Sequence, residues 1–386
     1  MIYFDYNATA PLVEEAKQAW NKAYEESWVN PGSPHQASVE VRAKFERCRE
    51  RVAELLMCAP EELVFLSGAT EVCNAWMRSF AKSGEKKILV SKQEHAAMHE
   101  SAQEYLGDRV VWFSPVAENL IEVLSEKLHA DPEIGAISMM AANNETGMVF
   151  PWQEVAILCR ERGIPFYCDT CQWIGKQPLA GLEELDFFCT SAHKFGAPKG
   201  VGLMKVSGRF GTTKSFVGGS QEHSLRAGTQ DYANVAALSA ALEVAISRTT
   251  TENINTRLKW RDEFVEKLSQ RLPQAVVHGR GKACLWNTVF VALPGRQKAI
   301  DWVDALWKEG FAVGFGSACS TAKNKTSRVL EDLGVDPEIA SRSIRISAGW
   351  DRSKFDWEAL LEVILKIHQK FSEDQTDSLT EVVSID

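Results

Sequence analysis

Short apolar runs alternate with amphipathic stretches from about residue 36 to residue 250. The spacing of Val41, Phe45 and Val52 predicts a helix over 36–56, and a second helix is predicted over 71–81. Apolar runs predict strands at 62–66, 87–91, 110–113, 136–141, 164–169, 186–190 and 202–205. Alternation of this kind is typical of βα units, so we predict an α/β fold with a mostly parallel sheet between helices.

The pattern changes near residue 255 and predicts a smaller α+β domain. Its predicted elements are helices at 255–272, 297–309 and 357–371, a Val- and Phe-rich run at 284–293, a Gly-rich segment at 314–318 and a strand at 343–347. We therefore assign 15–250 to a large domain, and 1–14 together with 251–371 to a small one. Residues 372–386 contain five acidic residues and no basic one, which predicts a flexible acidic tail.

Composition narrows the possible functions. The 386 residues include 43 Lys and Arg against 52 Asp and Glu, a net charge of −9, which argues against stable nucleic-acid binding. We find no apolar run of about 18 residues, so no membrane-spanning helix is expected. The first residues lack the features of a signal peptide, and nine cysteines without one indicate a reducing compartment. The expected location is cytoplasmic.

An aspartate and a lysine stand near the ends of two neighbouring predicted strands. Asp169 follows the run that ends at Cys168, and Lys194 lies in the sequence TSAHKFG at 190–196. A buried acid and a lysine among small hydroxyl and histidine residues are what pyridoxal phosphate requires. The lysine forms a Schiff base with the cofactor, and the acid keeps the pyridine nitrogen protonated.

A small-residue turn, SGATE at 67–71, lies between a predicted strand and a predicted helix. Free backbone N–H groups and the positive end of the helix dipole at such a turn can bind a phosphate. The alternative is an ordinary helix cap formed by Ser67 or Thr70. The chain has no GxGxxG or Walker motif, which argues against dinucleotide and P-loop chemistry.

Three further polar segments have both a functional and a structural interpretation. His95 follows a strand and could stack on a planar cofactor, although a single histidine is more often structural. The sequence NNETG at 143–147 could contact a cofactor or substrate, or could form a turn. The segment 218–229 is Gly-rich and polar, and is either a surface loop or part of a site.

Two residues of the predicted small domain could act on a substrate. Cys319 lies among small residues at 316–322, where an exposed thiol can ionise and react, whereas a buried one would only pack. Arg345 is a single long cation in an alternating strand. It could clamp a carboxylate with two hydrogen bonds or form an internal ion pair.

These motifs, in this order, resemble the cysteine desulfurase branch of the class V aminotransferases, which are fold type I pyridoxal phosphate enzymes. The resemblance covers nearly the whole chain. It rests on the segments 3–11, 30–35, 67–71, 143–147, 191–194, 226–229, 316–319 and 344–345.

The resemblance implies a role for each cofactor-binding residue. Lys194 would form the Schiff base, Asp169 would face the pyridine nitrogen, and Gln172 would donate to the ring oxygen. His95 would stack on the ring and is also assigned to catalysis. The remaining cofactor ligands would be Ala69, Thr70, Asn144, Ser191, His193 and, reaching in from the second subunit of a homodimer with shared active sites, Thr229.

The resemblance also implies the reaction. Asn144 and Arg345 would hold the carboxylate of the substrate L-cysteine, and Lys194 would remove its Cα proton. Cys319 would accept the sulfur as a persulfide, and L-alanine would be released. A sulfur-acceptor protein of iron–sulfur cluster assembly or of a thiolation pathway would then take the sulfur.

Three alternatives remain open on the sequence. The chain could be a selenocysteine lyase or another class V enzyme that does not need Cys319, or an inactive homologue that acts as a scaffold. Cys168 and Cys171 bracket Asp169, where the family usually has a small residue in place of Cys171. Residues three apart at a strand end point to opposite faces, so we expect structural thiols and no metal site.

Overall fold

The computed structural model describes residues 1–208, 213–316 and 327–383, with side chains as far as 373. Its strands are β1 Ile2–Phe4, β2 Leu63–Leu66, β3 Lys87–Ser91, β4 Val110–Phe113, β5 Ile134–Ser138, β6 Phe166–Asp169, β7 Phe187–Ser191, β8 Gly202–Val206, β9 Val276–Val277, β10 Thr288–Ala292, β11 Phe311–Phe315 and β12 Ser343–Ser347. Its α-helices are α1 Glu14–Glu26, α2 Gln36–Leu56, α3 Ala69–Lys82, α4 Ala96–Leu106, α5 Leu120–Ala130, α6 Trp152–Glu161, α7 Tyr232–Arg248, α8 Thr251–Arg271, α9 Ala299–Lys308, α10 Arg328–Asp332, α11 Pro337–Ser341 and α12 Lys354–Val383.

The larger unit contains Thr9–Asn143 and Phe150–Thr250. Its sheet has the strand order β2-β8-β7-β6-β5-β3-β4, in which β8 runs antiparallel to both neighbours and the other pairings are parallel. The predicted α/β architecture with a mostly parallel sheet is confirmed. On one face of the sheet α3 buries Trp76, which packs against Tyr167 and Phe187. Burial of each such side chain contributes roughly 1.5–3 kcal/mol.

The smaller unit contains Met1–Ala8, Asn144–Val149 and Thr251–Asp386. Its sheet has the order β1-β11-β12-β10-β9, with β1 and β11 parallel and the other pairs antiparallel. The core is built around Phe4, Trp302 and Trp357, and the rings of Phe4 and Trp357 lie 4.9 Å apart. Mixed strand pairing covered by helices is the predicted α+β organisation.

Two short segments lie in different units from those that we expected. Residues 9–14 belong to the larger unit, because the N–H groups of Ala10 and Val13 donate to His193 and Gly196 of that unit. The segment Asn144–Val149 belongs to the smaller unit, where Met148 pairs with Cys284. Both assignments depend on long-range backbone hydrogen bonds.

The C-terminal region also differs from its prediction. In place of a flexible tail from 372, the structure continues α12 as far as Val383. The helix Lys354–Val383 contains neither glycine nor proline, so no residue in it strongly opposes helix formation. None of the helices in the described part of the chain has the length and apolar character that crossing a membrane requires.

Candidate active site

Several predicted site residues lie at the carboxyl edge of the larger sheet. β6 ends at Asp169, and β7 beside it ends at Ser191, which a 3₁₀ turn, Ala192–Lys194, follows. His95 lies four residues after β3 and caps helix α4. Parallel strands end at the same edge of a sheet, and open α/β sheets bind their ligands there. The topology therefore gathers residues that are distant in sequence.

The N-terminus of α3 contacts the end of β7. The Ala69 N–H donates to Ser191 Oγ at 2.9 Å, while Thr70 in the first turn is exposed. Gly202 makes this approach possible, because a Cβ there would lie only 2.7 Å from Gly68 Cα. The contact places a serine hydroxyl at the positive end of a 14-residue helix, which suits a phosphate.

Asp169 is an almost fully buried carboxyl group, 6% exposed. Its Oδ1 accepts a hydrogen bond from the Cys171 N–H at 2.8 Å. Glu94, which no motif in the sequence marks, is a second buried carboxyl group and accepts from Ser138 Oγ at 3.2 Å. Burial, and then the nearby Asp169, raise the pKa of Glu94 well above its ordinary value. The only feature of the sequence that could have pointed to Glu94 is its position directly before His95.

Gln172 and His95 are both oriented by neighbouring groups. Buried Lys176 donates to Gln172 Oε1, which leaves the Gln172 amide nitrogen as the donor of this side chain. The His95 Nδ1 accepts from the Ala97 N–H at 3.1 Å. A neutral His95 therefore carries its ring proton on Nε2.

His193 is held next to Lys194 in an uncharged state. Its Nδ1 lies 3.1 Å from Thr9 Oγ1, and its carbonyl accepts from the Ala10 N–H. Burial, followed by the charges of Lys194 and Lys199, lowers the pKa of His193 to about 4. His193 is thus neutral at physiological pH and can donate or accept a hydrogen bond.

In the smaller unit, Arg345 is a buried cation at the centre of strand β12. Its Nη2 donates to Asp5 Oδ1 at 2.8 Å, and its Nη1 donates to the carbonyl of Asn144 at 3.2 Å. A Cβ at Gly314 would lie 2.6 Å from Asp5 Oδ1, so the glycine of the predicted Gly-rich segment lets β11 pass close to this pair. The Arg345 Nε is buried and has no hydrogen-bond partner among the described residues.

The structure gives less information about two of the predicted site residues, Thr229 and Cys319. Thr229 is exposed and lies three residues after Arg226, whose Nε is 3.4 Å from Glu71 Oε1 in the first turn of α3. Cys319 lies outside the described residues, so its role stays a prediction.

The polar groups of the larger unit fit pyridoxal phosphate. The end of α3 and Ser191 suit its phosphate, and the buried carboxyl of Asp169 suits a protonated pyridine nitrogen. Lys194 follows on the same segment as Ser191 and supplies a primary amine.

The chain is similar to known proteins over almost its whole length. A family model described as Aminotransferase class-V matches residues 2–360. A cysteine desulfurase IscS from Dictyoglomus turgidum is 33% identical over 379 residues, which cover 96% of this chain and 95% of that protein.

Two solved structures are similar over most of their length. A NifS-like protein has a TM-score of 0.85 at 29% identity, with 95% of this chain and 99% of that chain covered. A structure described as SspA in complex with cysteine has a TM-score of 0.74 at 25% identity, with 90% and 98% covered. The predicted fold type I architecture is confirmed. The chain belongs to the pyridoxal phosphate-dependent class V aminotransferase family, and within it to the cysteine desulfurases.

Proposed function

We propose that this chain is a pyridoxal phosphate-dependent cysteine desulfurase that converts L-cysteine to L-alanine and retains the sulfur on Cys319. The observation that carries the proposal is the Ala69–Ser191 contact, which brings a helix N-terminus to the segment bearing Lys194. The buried Asp169 on the adjacent strand supports it. The similar structure described with bound cysteine supports the choice of substrate.

The cofactor would be held by residues of the larger unit. Ser191, His193, Thr70 and the Ala69 N–H would bind its phosphate, together with Thr229 of a second subunit. Asp169 would pair with the ring nitrogen, Gln172 with the ring oxygen, and His95 would cover a ring face. Bound pyridoxal phosphate supplies an electron-accepting ring that stabilises negative charge at the substrate Cα.

The substrate would be oriented by its carboxylate. The guanidinium of Arg345 has five N–H donors, and its buried Nε lacks a hydrogen-bond partner among the described residues, so it can donate to an incoming anion. Asn144 would assist. Lys194 Nζ would then take the proton from the Cα of L-cysteine.

Cys319 would complete the reaction as a nucleophile. Its thiolate attacks the substrate sulfur, an S–S bond forms, and the Cβ–S bond breaks with its electron pair left on carbon. That carbon takes up a proton, so the products are alanine and a persulfide on Cys319. A sulfur-acceptor protein of iron–sulfur cluster assembly or thiolation would receive the sulfur.

The test compares Lys194→Ala and Cys319→Ser with the wild-type chain. We expect Lys194→Ala to lose both the Schiff-base absorbance and alanine formation. Cys319→Ser should keep the absorbance but form no protein persulfide, because a serine hydroxyl ionises far above a thiol, whose pKa is about 8.5. Alanine is measured by chromatography and the bound sulfur by mass spectrometry.

Matched controls are Lys199→Ala, an exposed lysine five residues after Lys194, and Cys48→Ser, a partly buried thiol of the larger unit. Both should retain turnover within a few-fold. Normal alanine formation by Lys194→Ala would overturn the proposal. Normal release of selenide or sulfide by Cys319→Ser would instead favour the lyase alternative.

A further inference from the structure

A buried lysine lies behind Gln172, which the proposed function pairs with the ring oxygen of the cofactor. Lys176 is 5% exposed and Gln172 is 4% exposed, and Lys176 Nζ donates a hydrogen bond to Gln172 Oε1. Lysine is almost never buried so deeply unless a partner holds it. Neither the proton transfer nor the sulfur transfer described above uses Lys176.

The turn that follows β6 brings the two side chains together. The N–H groups of Trp173 and Ile174 both donate to the Thr170 carbonyl, at 2.9 and 3.0 Å, so the backbone coils here as in a helix. Residues four apart on such a turn lie on the same side of it. Lys176 is therefore next to Gln172.

Contacts with the neighbouring strand and its loop hold this turn at both ends. Thr170 Oγ1 donates to the Cys189 carbonyl of β7 at 2.7 Å. At the other end Gly175 has a φ of +80°, and a Cβ on it would lie only 2.8 Å from the Cβ of Phe195, the residue directly after Lys194. The turn is thus fixed against the segment that bears the Schiff-base lysine.

The contact with the lysine decides which way the Gln172 amide points. An amide group has an oxygen that accepts and an NH₂ group that donates, whereas a lysine ammonium only donates. The opposite orientation would set two donors against each other in a buried position, where an unmade hydrogen bond is costly. Lys176 therefore keeps Oε1 on its own side and leaves Nε2 as the donor of Gln172.

We propose that Lys176 is a positioning residue for the cofactor, which acts through Gln172 by keeping the amide N–H directed at the ring oxygen. This inference rests on the proposed function, because it takes Gln172 as the partner of that oxygen. A hydrogen-bond donor favours the negatively charged form of its acceptor. The ring oxygen bears its full charge once the Schiff base has lost its proton to solvent, so Lys176 keeps the pKa of the Schiff base low.

The first test is a pH titration of the Schiff-base absorbance in the cofactor-loaded full chain and in Lys176→Met. Without the ammonium the amide can turn its oxygen towards the ring oxygen, so we expect the Schiff-base pKa to rise by about one unit. A rise smaller than about half a unit in the folded, loaded variant would overturn the proposal. If Lys176→Met does not fold, Lys176→Gln replaces it, because a neutral amide both accepts and donates and imposes no orientation.

Two further variants show whether the effect passes through Gln172. Loss of a cation would also raise this pKa by charge alone. Gln172→Met has no amide to orient, so in that background Lys176→Met should cause no further rise. An equal rise in both backgrounds would overturn the proposal. Lys176→Arg keeps a cation that only donates, and should titrate as the parent does; a rise as large as that of Lys176→Met would contradict the proposed role.

Lys205→Met is the matched control. Lys205 is also buried, 3% exposed, but lies on β8, and its Nζ donates to the carbonyls of Glu183 and Leu185 at 2.9 and 2.8 Å. The control should titrate as the parent does. A rise equal to that of Lys176→Met would show a general effect of removing a buried lysine and would overturn the proposal. Circular dichroism verifies that each variant is folded.

The titration separates this inference from the proposed function. Absence of the Schiff-base absorbance in the parent chain would overturn the proposed function, and this inference with it. A parent that shows the absorbance and a Lys176→Met chain that titrates identically would overturn this inference alone. No measurement here depends on sulfur release. The other ionisable groups at this edge of the sheet are the same in all the chains compared: Glu94, His95, Asp169, His193 and Lys194.

Discussion

At the scale of single residues, Arg345 is a buried cation that retains a hydrogen-bond donor for the carboxylate of a ligand. Asp5 neutralises it through an Nη2–Oδ1 contact of 2.8 Å, and backbone carbonyls of Asn144 and Gly316 accept from Nη1. The Nε has no hydrogen-bond partner among the described residues. A buried N–H without a partner costs about 1–3 kcal/mol, which a bound carboxylate would recover.

Arg345→Lys tests this role. A lysine retains the charge but cannot form two parallel hydrogen bonds, so we expect the KM for L-cysteine to rise about tenfold or more with a smaller change in kcat. Steady-state kinetics of alanine formation measures both. Arg342→Lys changes a half-buried arginine of the same unit, whose Nη1 donates to the Gly295 carbonyl, and should leave KM unchanged. A KM within twofold of wild type for Arg345→Lys would remove Arg345 from substrate binding.

At the scale of elements, a buried ion pair fixes the segment that carries Thr229. Arg49 of α2 donates to both carboxylate oxygens of Glu222, at 2.7 and 3.1 Å, and both side chains are nearly inaccessible. Glu222 also accepts from the Phe65 N–H and from Gln230. Glu222, His223 and Ser224 all have positive φ angles, a conformation that costs of order 1–3 kcal/mol for each residue. The ion pair holds this strained turn in place.

Glu222→Gln leaves the buried Arg49 with only the half-exposed Glu46 as its counter-charge, 2.9 Å from Arg49 Nε. We expect the free energy of unfolding to fall by up to about 3–5 kcal/mol, measured by urea denaturation. Arg51 lies on the same helix as Arg49 and forms exposed pairs with Glu54 and with Glu243 of α7, so Arg51→Gln should cost less than about 1 kcal/mol. If both variants lose the same stability, the buried pair does not hold the segment.

At the scale of the whole molecule, the proposed active site needs two chains. Thr229 is exposed in the single chain, and the family resemblance assigns it to the cofactor phosphate of the second subunit. In a hybrid dimer of Lys194→Ala and Thr229→Ala chains, shared sites would place both defects in one site and leave the other intact.

We therefore expect each hybrid dimer to have about half the wild-type activity, which exceeds both parents, because one of its two sites is complete. Differently tagged chains are reassembled, purified through both tags and assayed for alanine. Hybrids no more active than the Thr229→Ala parent would contradict shared sites, as would a fully active monomer in light scattering.

The sequence by itself determined the local elements and the chemical identity of the site. Periodic apolar positions gave α2 its bounds, Gln36–Leu56, and short apolar runs located most strands of the larger sheet. These features are readable because helix and strand periodicity depend on neighbouring residues. Asp169 and Lys194 were recognisable because few cofactors require an acid and a lysine at the ends of adjacent strands.

Tertiary structure alone decided which distant residues meet. Residues 139–141, predicted as strand, leave β5 while the Met139 and Ala141 N–H groups still bond to carbonyls of the β6 residues Tyr167 and Asp169. The close approach that Gly202 permits depends on packing between segments more than 100 residues apart. The meeting of Cys73, Cys171 and Cys189 depends likewise on strand register, which no local pattern encodes. Spacing along the chain could not reveal side chains that become neighbours only when the sheet forms.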